Sequence, residues 1–166
     1  PELDLEMGPL INRRQFDQVR GFIARARADG IRVMATGLLH PDAATAGFYQ
    51  EAVLFRDVPH EHGIAQEEIF GPVLAAMPFD DEAHAIRLAN GTDYGLVAGV
   101  WTRDGARQMR VARKLRCGQV FVNNYGAAGG VELPFGGRKS SGYGREKGFE
   151  ALLGFTVLKT IAFRHG

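Results

Sequence analysis

A single cysteine, Cys117, stands among 166 residues. That excludes an intramolecular disulfide framework and any multi-cysteine metal site, and it points to a reducing, cytoplasmic setting. Net charge is nearly absent too, since 20 Lys+Arg against 19 Asp+Glu give +1. No long-range field therefore draws nucleic acid or an anionic membrane, and a neutral small-molecule role fits better. No apolar run approaches the roughly 18 residues needed to span a bilayer, and no basic-then-apolar segment marks a signal peptide, so a soluble protein is expected. The histidines at 40, 60, 62, 84 and 165 have no metal-site spacing, and His60 with His62 reads as a polar loop. The 45% hydrophobic content, by contrast, is enough for one compact domain with a core, though the length falls short of a two-domain cofactor enzyme.

The periodicity alternates between helix and strand. Asn12 followed by Gln15 reads as a capping box, and Phe16, Val19, Ile23 and Ala26 recur at helical spacing, predicting an amphipathic helix over 13–29. Strands are predicted over 31–36, 49–55, 73–79, 94–102 and 118–123, with a surface loop over 37–47. Asp80 or Asp81 can cap a helix carrying Ala83, Ile86 and Ala89 and ending at Asn90-Gly91. Asp104 can cap another, with Met109, Ala112 and Leu115 on one face and Arg103, Arg107, Arg110 and Lys114 on the other. Successive strand, helix, strand units imply an α/β fold: a layered parallel sheet with helices on both faces. The glycine-rich stretch 126–148 reads as an irregular loop, followed by a short helix to about Leu153 and a final strand over 155–164.

Two blocks carry chemistry. In QEEIFGPV, Gln66 to Val73, a carboxylate and an aromatic stand two residues apart before a Gly-Pro turn. Glu68 can accept charge-assisted hydrogen bonds from two vicinal hydroxyls at once, and Phe70 offers an apolar face to a flat base or ribose. The second block is PFGGRKSSGYGREKGFEALL, Pro134 to Leu153. Taken alone, PFGG is a turn, and Arg145 with Glu146 is a solvated ion pair at a helix start.

In their order and separation the two blocks closely resemble the aldehyde dehydrogenase superfamily, from about Gly8 to Arg164. The resemblance covers the C-terminal third or so of such an enzyme. It implies that residues 1–154 are the C-terminal portion of the catalytic domain, and that 155–166 form an oligomerisation strand pairing across subunits, hence a homo-oligomer through Phe155 to Arg164. It further implies that Glu68 binds the hydroxyls of the nicotinamide-side ribose of NAD or NADP, with Phe70 packed beside it. Phe135 would line the pocket where aldehyde and nicotinamide meet, and Glu146 is a possible proton relay. The loop Asn124 to Gly130, NYGAAGG, matches the segment bordering the substrate tunnel, where small side chains suggest a roomy entrance.

The implied reaction is NAD(P)-dependent oxidation of an aldehyde to a carboxylic acid through a cysteine thioester, with the catalytic cysteine and general base outside this chain. No catalytic residue is therefore expected here beyond Glu146, and the isolated chain is expected to be inactive. Cys117 matches a position held by small residues and reads as a buried structural thiol. A non-catalytic binding or oligomerisation domain is the alternative.

Several patterns are discounted. GYGREKG lacks the dinucleotide-fingerprint spacing, and in GGRKSS Arg138 stands where a phosphate-binding loop needs its second glycine. The basic face from Arg103 to Lys114 has no stacking aromatics beside it and reads as a solvated helix face. Ala52 replaces a proline usual in the family, a change that is conservative for packing.

Overall fold

The computed structural model describes residues 7–41, 43, 47–126 and 130–166. Residues 1–6 of the expected catalytic portion, 42 and 44–46 of the predicted surface loop, and Ala127 to Gly129 of the NYGAAGG segment lie outside the described residues. The chain divides into two compact units, one ending at Asp80 and the other starting at Asp81.

The first unit is built on helix α1, Arg13–Ala28. The side chain of Asn12 caps it by accepting from the Gln15 N–H at 2.9 Å. Val19, Phe22, Ile23 and Ala26 are buried along one stripe, the spacing that turns one helical face inward. Against it lies a sheet of strands β1 (Arg32–Thr36), β2 (Val53–Arg56) and β3 (Val73–Ala75), in that order. Phe55 and Val53 of the central strand are fully buried. Truncating such a phenylalanine typically costs about 3–5 kcal/mol. One short helix, α2 (Gly63–Gln66), joins this core through buried Ile64.

The second unit holds helix α3 (Glu82–Asn90), strands β4 (Tyr94–Gly95) and β5 (Val97–Val100), helix α4 (Gly105–Lys114), and strands β6 (Gln119–Val122) and β7 (Arg138–Lys139). Asp81 and Asp104 cap its helices, each accepting backbone N–H bonds from the first turn. Strands β5 and β6 pair in parallel through the α4 crossover. Asn123 ties their ends, its side chain accepting from the Thr102 N–H and donating to the Thr102 carbonyl, both at 2.9 Å. Glu82 on α3 meets Arg110 and Arg107 on α4, so the predicted solvated basic face is partly an ion-pair network.

The expected layered parallel sheet is not what forms. The sheets are small and mixed: β1 runs antiparallel to β2, β2 parallel to β3, and β4 antiparallel to β7. No helix lies between β1 and β2 among the described residues, and a right-handed parallel return needs a crossover. A sheet covered on both faces would also bury its strands, yet all four residues of β6 are only half-buried. The predicted strand 94–102 breaks at Leu96, and 73–79 pairs only over Val73–Ala75. The segment expected to form the C-terminal strand makes no ladder among the described residues. Phe149–Phe155 forms a 3₁₀ helix, and residues 156–166 run without a ladder partner among the described residues. Strand structure requires a neighbour, which one chain does not supply here. No described helix is long and apolar enough to cross a membrane.

Candidate active site

In the first unit, the QEEIFGPV segment is fixed by its alternation. Ile69 points into the core at 8% exposure, and Glu68 and Phe70 on either side of it are exposed. Phe70 lies in the left-handed region, with φ +53. A bulky side chain rarely adopts that backbone, and such strain persists only where the surroundings impose it. The surroundings here are specific. The side-chain amide of Gln15 donates to the carbonyl of Ile69 at 2.8 Å and to that of Phe70 at 3.1 Å. Directly after, Gly71 packs so closely on α1 that a Cβ there would stand 2.5 Å from Val19 Cγ2. The strand β3 then registers in parallel on β2, with Val73 opposite Val53.

Upstream, His62 caps α2 by accepting from the Ile64 N–H at 3.3 Å, and its Nε2 lies 3.2 Å from Asp29. It is thus a structural histidine rather than part of a polar loop. The result is a carboxylate and an aromatic ring, two residues apart, both exposed to solvent on a braced turn. Glu68 makes no side-chain hydrogen bond or ion pair among the described residues. Its two oxygens and the face of Phe70, 69% exposed, fit a vicinal diol with an attached flat ring.

The second unit holds the other expected site residues. Phe135 and Glu146 face each other as an isolated antiparallel bridge, each N–H donating to the other's carbonyl at 2.7 and 2.8 Å. The Phe135 ring is half-buried on the wall of a cleft of about 220 Å³ shared with Gln119, Phe121, Tyr125 and Lys147. Phe121 and Tyr125 rings meet at 6.3 Å, tilted by 57°. Lys147 Nζ lies 5.7 Å from the centre of the Phe135 ring. Glu146 is exposed, and no ion pair joins it to Arg145 among the described residues. Arg145 instead donates to the carbonyls of Gly137 and Gly144 at 3.0 and 2.6 Å, which corrects the reading of a solvated pair at a helix start.

The glycines of PFGG are more than a turn, because a Cβ on Gly136 would meet the Gly144 carbonyl oxygen at 2.5 Å. That packing holds the segment bearing Phe135 against the loop bearing Glu146. Lys139 donates to the carbonyls of Asn90 and Thr92 at 2.8 and 2.7 Å, so the GGRKSS run is a clamp on the α3–β4 turn rather than a phosphate loop.

Cys117 is half-buried, and its thiol donates to the Gln119 carbonyl at 3.1 Å. Burial pushes the thiol up from its ordinary value, the opposite of what a nucleophile needs. No cluster of His, Cys, Asp and Glu suited to a metal occurs among the described residues. Glu68 and Phe70 thus belong to one unit, and Phe135, Glu146 and the cleft to the other. The contributions of Gln15 and Lys147 carry no local sequence signal: Gln15 has the spacing of a cap, and Lys147 that of a solvated charge.

Comparison with known proteins places the chain in a family. The chain is 43% identical over 156 residues to a betaine aldehyde dehydrogenase of Sinorhizobium fredii, covering 94% of this chain and 32% of that protein. It thus spans about a third of the length of the curated relatives it matches. A crystal structure from Burkholderia cenocepacia, named as an aldehyde dehydrogenase, superposes with a TM-score of 0.92 at 67% identity, over 98% of this chain and 34% of that one. The Mycobacterium tuberculosis aldehyde dehydrogenase complexed with NAD+ superposes with a TM-score of 0.83 at 40% identity, over 90% of this chain and 30% of that one. The model of the aldehyde dehydrogenase family matches residues 1–161, and this chain belongs to that family.

Proposed function

We propose that this chain is the C-terminal portion of the catalytic region, with the oligomerisation tail, of an oxidoreductase that converts an aldehyde to a carboxylic acid with NAD or NADP. The observation that carries the reading is the paired display of Glu68 and Phe70 around buried Ile69, with Phe70 held at positive φ. In this reading the Glu68 carboxylate accepts hydrogen bonds from the hydroxyls of the nicotinamide-side ribose, and Phe70 packs beside that sugar. When bound, the dinucleotide supplies the acceptor for the hydride that leaves the aldehyde carbon.

The chain's own residues bind and orient. Phe135, with Phe121 and Tyr125, forms an apolar wall that keeps water from the reacting carbon. Glu146 stands one backbone bridge from Phe135 and can hold a proton there as a relay. The nucleophile and general base lie outside this chain, since its single thiol is half-buried and hydrogen-bonded to backbone. The single cysteine suits a reducing cytoplasmic setting. The exposed tail, with Phe155, Val157, Leu158, Ile161 and Phe163, is the surface that a second subunit covers in a homo-oligomer.

Steady-state assay of the full-length protein tests the reading. Aldehyde-dependent formation of NADH or NADPH is expected. A full-length protein that binds neither dinucleotide and reduces neither contradicts it.

A further inference from the structure

The cleft beside Phe135 has apolar and aromatic walls, yet one cation reaches into it. Lys147 is the one charged side chain among its described lining, where Gln119 and Tyr125 supply the remaining polarity. Tyr125, Gly126 and Gly130 line the cleft, and the NYGAAGG sequence to which they belong carries no charge. Glu132, whose carboxylate lies beside Gly130, is not part of the lining, and neither is Glu146.

The direction of Lys147 is set by backbone rather than by chance. Its φ is +63, the left-handed region that a lysine rarely occupies. It is pinned there from both sides: the Glu146 N–H donates to the Phe135 carbonyl at 2.8 Å, and the Gly148 N–H donates to the Val131 carbonyl at 2.7 Å. The side chain consequently leans on the Phe135 ring, its ammonium 5.7 Å from the ring centre. Three donor hydrogens and a full positive charge are thus held beside the apolar wall, and no acidic side chain is ion-paired to them among the described residues.

From this we propose that Lys147 makes the cleft selective for aldehydes whose far end carries a carboxylate, and disfavours those carrying a quaternary ammonium. The proposal rests on the cleft being the aldehyde side of the active site. An anionic end group gains a charge-assisted hydrogen bond from the ammonium. A cationic one meets the like charge of Lys147, which is itself exposed beside the Phe135 ring, so the repulsion acts at short range and weakens with added salt. The aromatic walls alone would favour the opposite choice, because their faces attract cations. Lys147 occupies that face of Phe135 itself.

The test compares kcat/KM of the full-length protein for succinic semialdehyde, propanal and betaine aldehyde, in the wild type and in the variants K147R, K147Q and K147E. The expected wild-type order places the carboxylate-bearing aldehyde above the trimethylammonium one. The ratio of those two should fall by about tenfold in K147Q and further in K147E, while K147R keeps the wild-type preference. A ratio in K147Q and K147E within about twofold of wild type overturns the proposal and leaves the dehydrogenase reading standing. A wild type that oxidises none of these aldehydes, propanal included, overturns the dehydrogenase reading and this proposal with it.

Discussion

The side-chain amide of Gln15, on the first turn of α1, donates a hydrogen bond to the backbone carbonyl of Phe70, 55 residues further along the chain. The same nitrogen donates to the Ile69 carbonyl, so one side chain holds the turn that presents Glu68 and Phe70. Changing Gln15 to Ala leaves the part-buried Ile69 carbonyl and the exposed Phe70 carbonyl without that donor, at a cost of about 1 kcal/mol or somewhat more. We expect a lowered Tm and, in the full-length protein, a KM for NAD+ that rises more than the KM for aldehyde. A stability loss with an unaltered KM for NAD+ would show that Gln15 braces the fold without positioning the site.

Cys117 should be inert. With its thiol half-buried and held above the ordinary value, alkylation by iodoacetamide at neutral pH should be slow in the folded chain and fast after unfolding in urea. The isolated 166-residue chain should not reduce NAD+ with any aldehyde, and in the full-length protein Cys117→Ser should leave turnover nearly unchanged. Cofactor reduction by the isolated chain, lost on that substitution, would contradict both expectations.

The Glu82 network should appear as a pH-dependent part of stability. The hydrogen bonds from Arg110 hold the Glu82 carboxyl below the usual carboxylate range, with smaller help from the charge of Arg110 and from Arg107. A carboxyl lowered in the folded state stabilises at pH values above its unfolded pKa, and the effect is lost as pH falls through the folded value. E82Q should therefore lower Tm at pH 7, and the gap from wild type should close as pH drops below about 4. A gap that persists unchanged at low pH would mean that the amide disturbs packing rather than an ion pair.

The tail offers a test of assembly. Phe155, Leu158 and Phe163 are each at least 80% exposed, with no ladder partner among the described residues. Removing 155–166 from the full-length protein should reduce its sedimentation coefficient to that of a smaller assembly. An unchanged assembly after truncation would place the interface elsewhere.

Much of this architecture is legible in the sequence, and what escapes has physical causes. The three longer helices and their caps at Asn12, Asp81 and Asp104 follow from local chemistry, because a cap and a 3.6-residue stripe are properties of neighbouring residues. Glu68 and Phe70 flank an apolar residue before Gly71-Pro72, so their shared outward direction is local too. Gln15 shows the limit. Its spacing from Asn12 suggests a reciprocal cap, and half of that box forms, but the amide is used on a strand entry far away in sequence. Nothing local distinguishes the two uses. Lys147 and Phe121 likewise share a cleft across a gap that no periodicity spans. The expected strand over 155–164 has the right alternation but no ladder partner among the described residues, and pairing is not a property of one segment.

The proposed grip of Glu68 on a nicotinamide-side ribose is tested most directly by titration of the full-length protein with NAD+, wild type against Glu68→Ala. Losing a two-pronged, charge-assisted hydrogen bond should cost about 1.5–3 kcal/mol, so cofactor binding or turnover should fall by about 10-fold to 150-fold. A Glu68→Ala protein with wild-type NAD+ affinity, KM and kcat would contradict it.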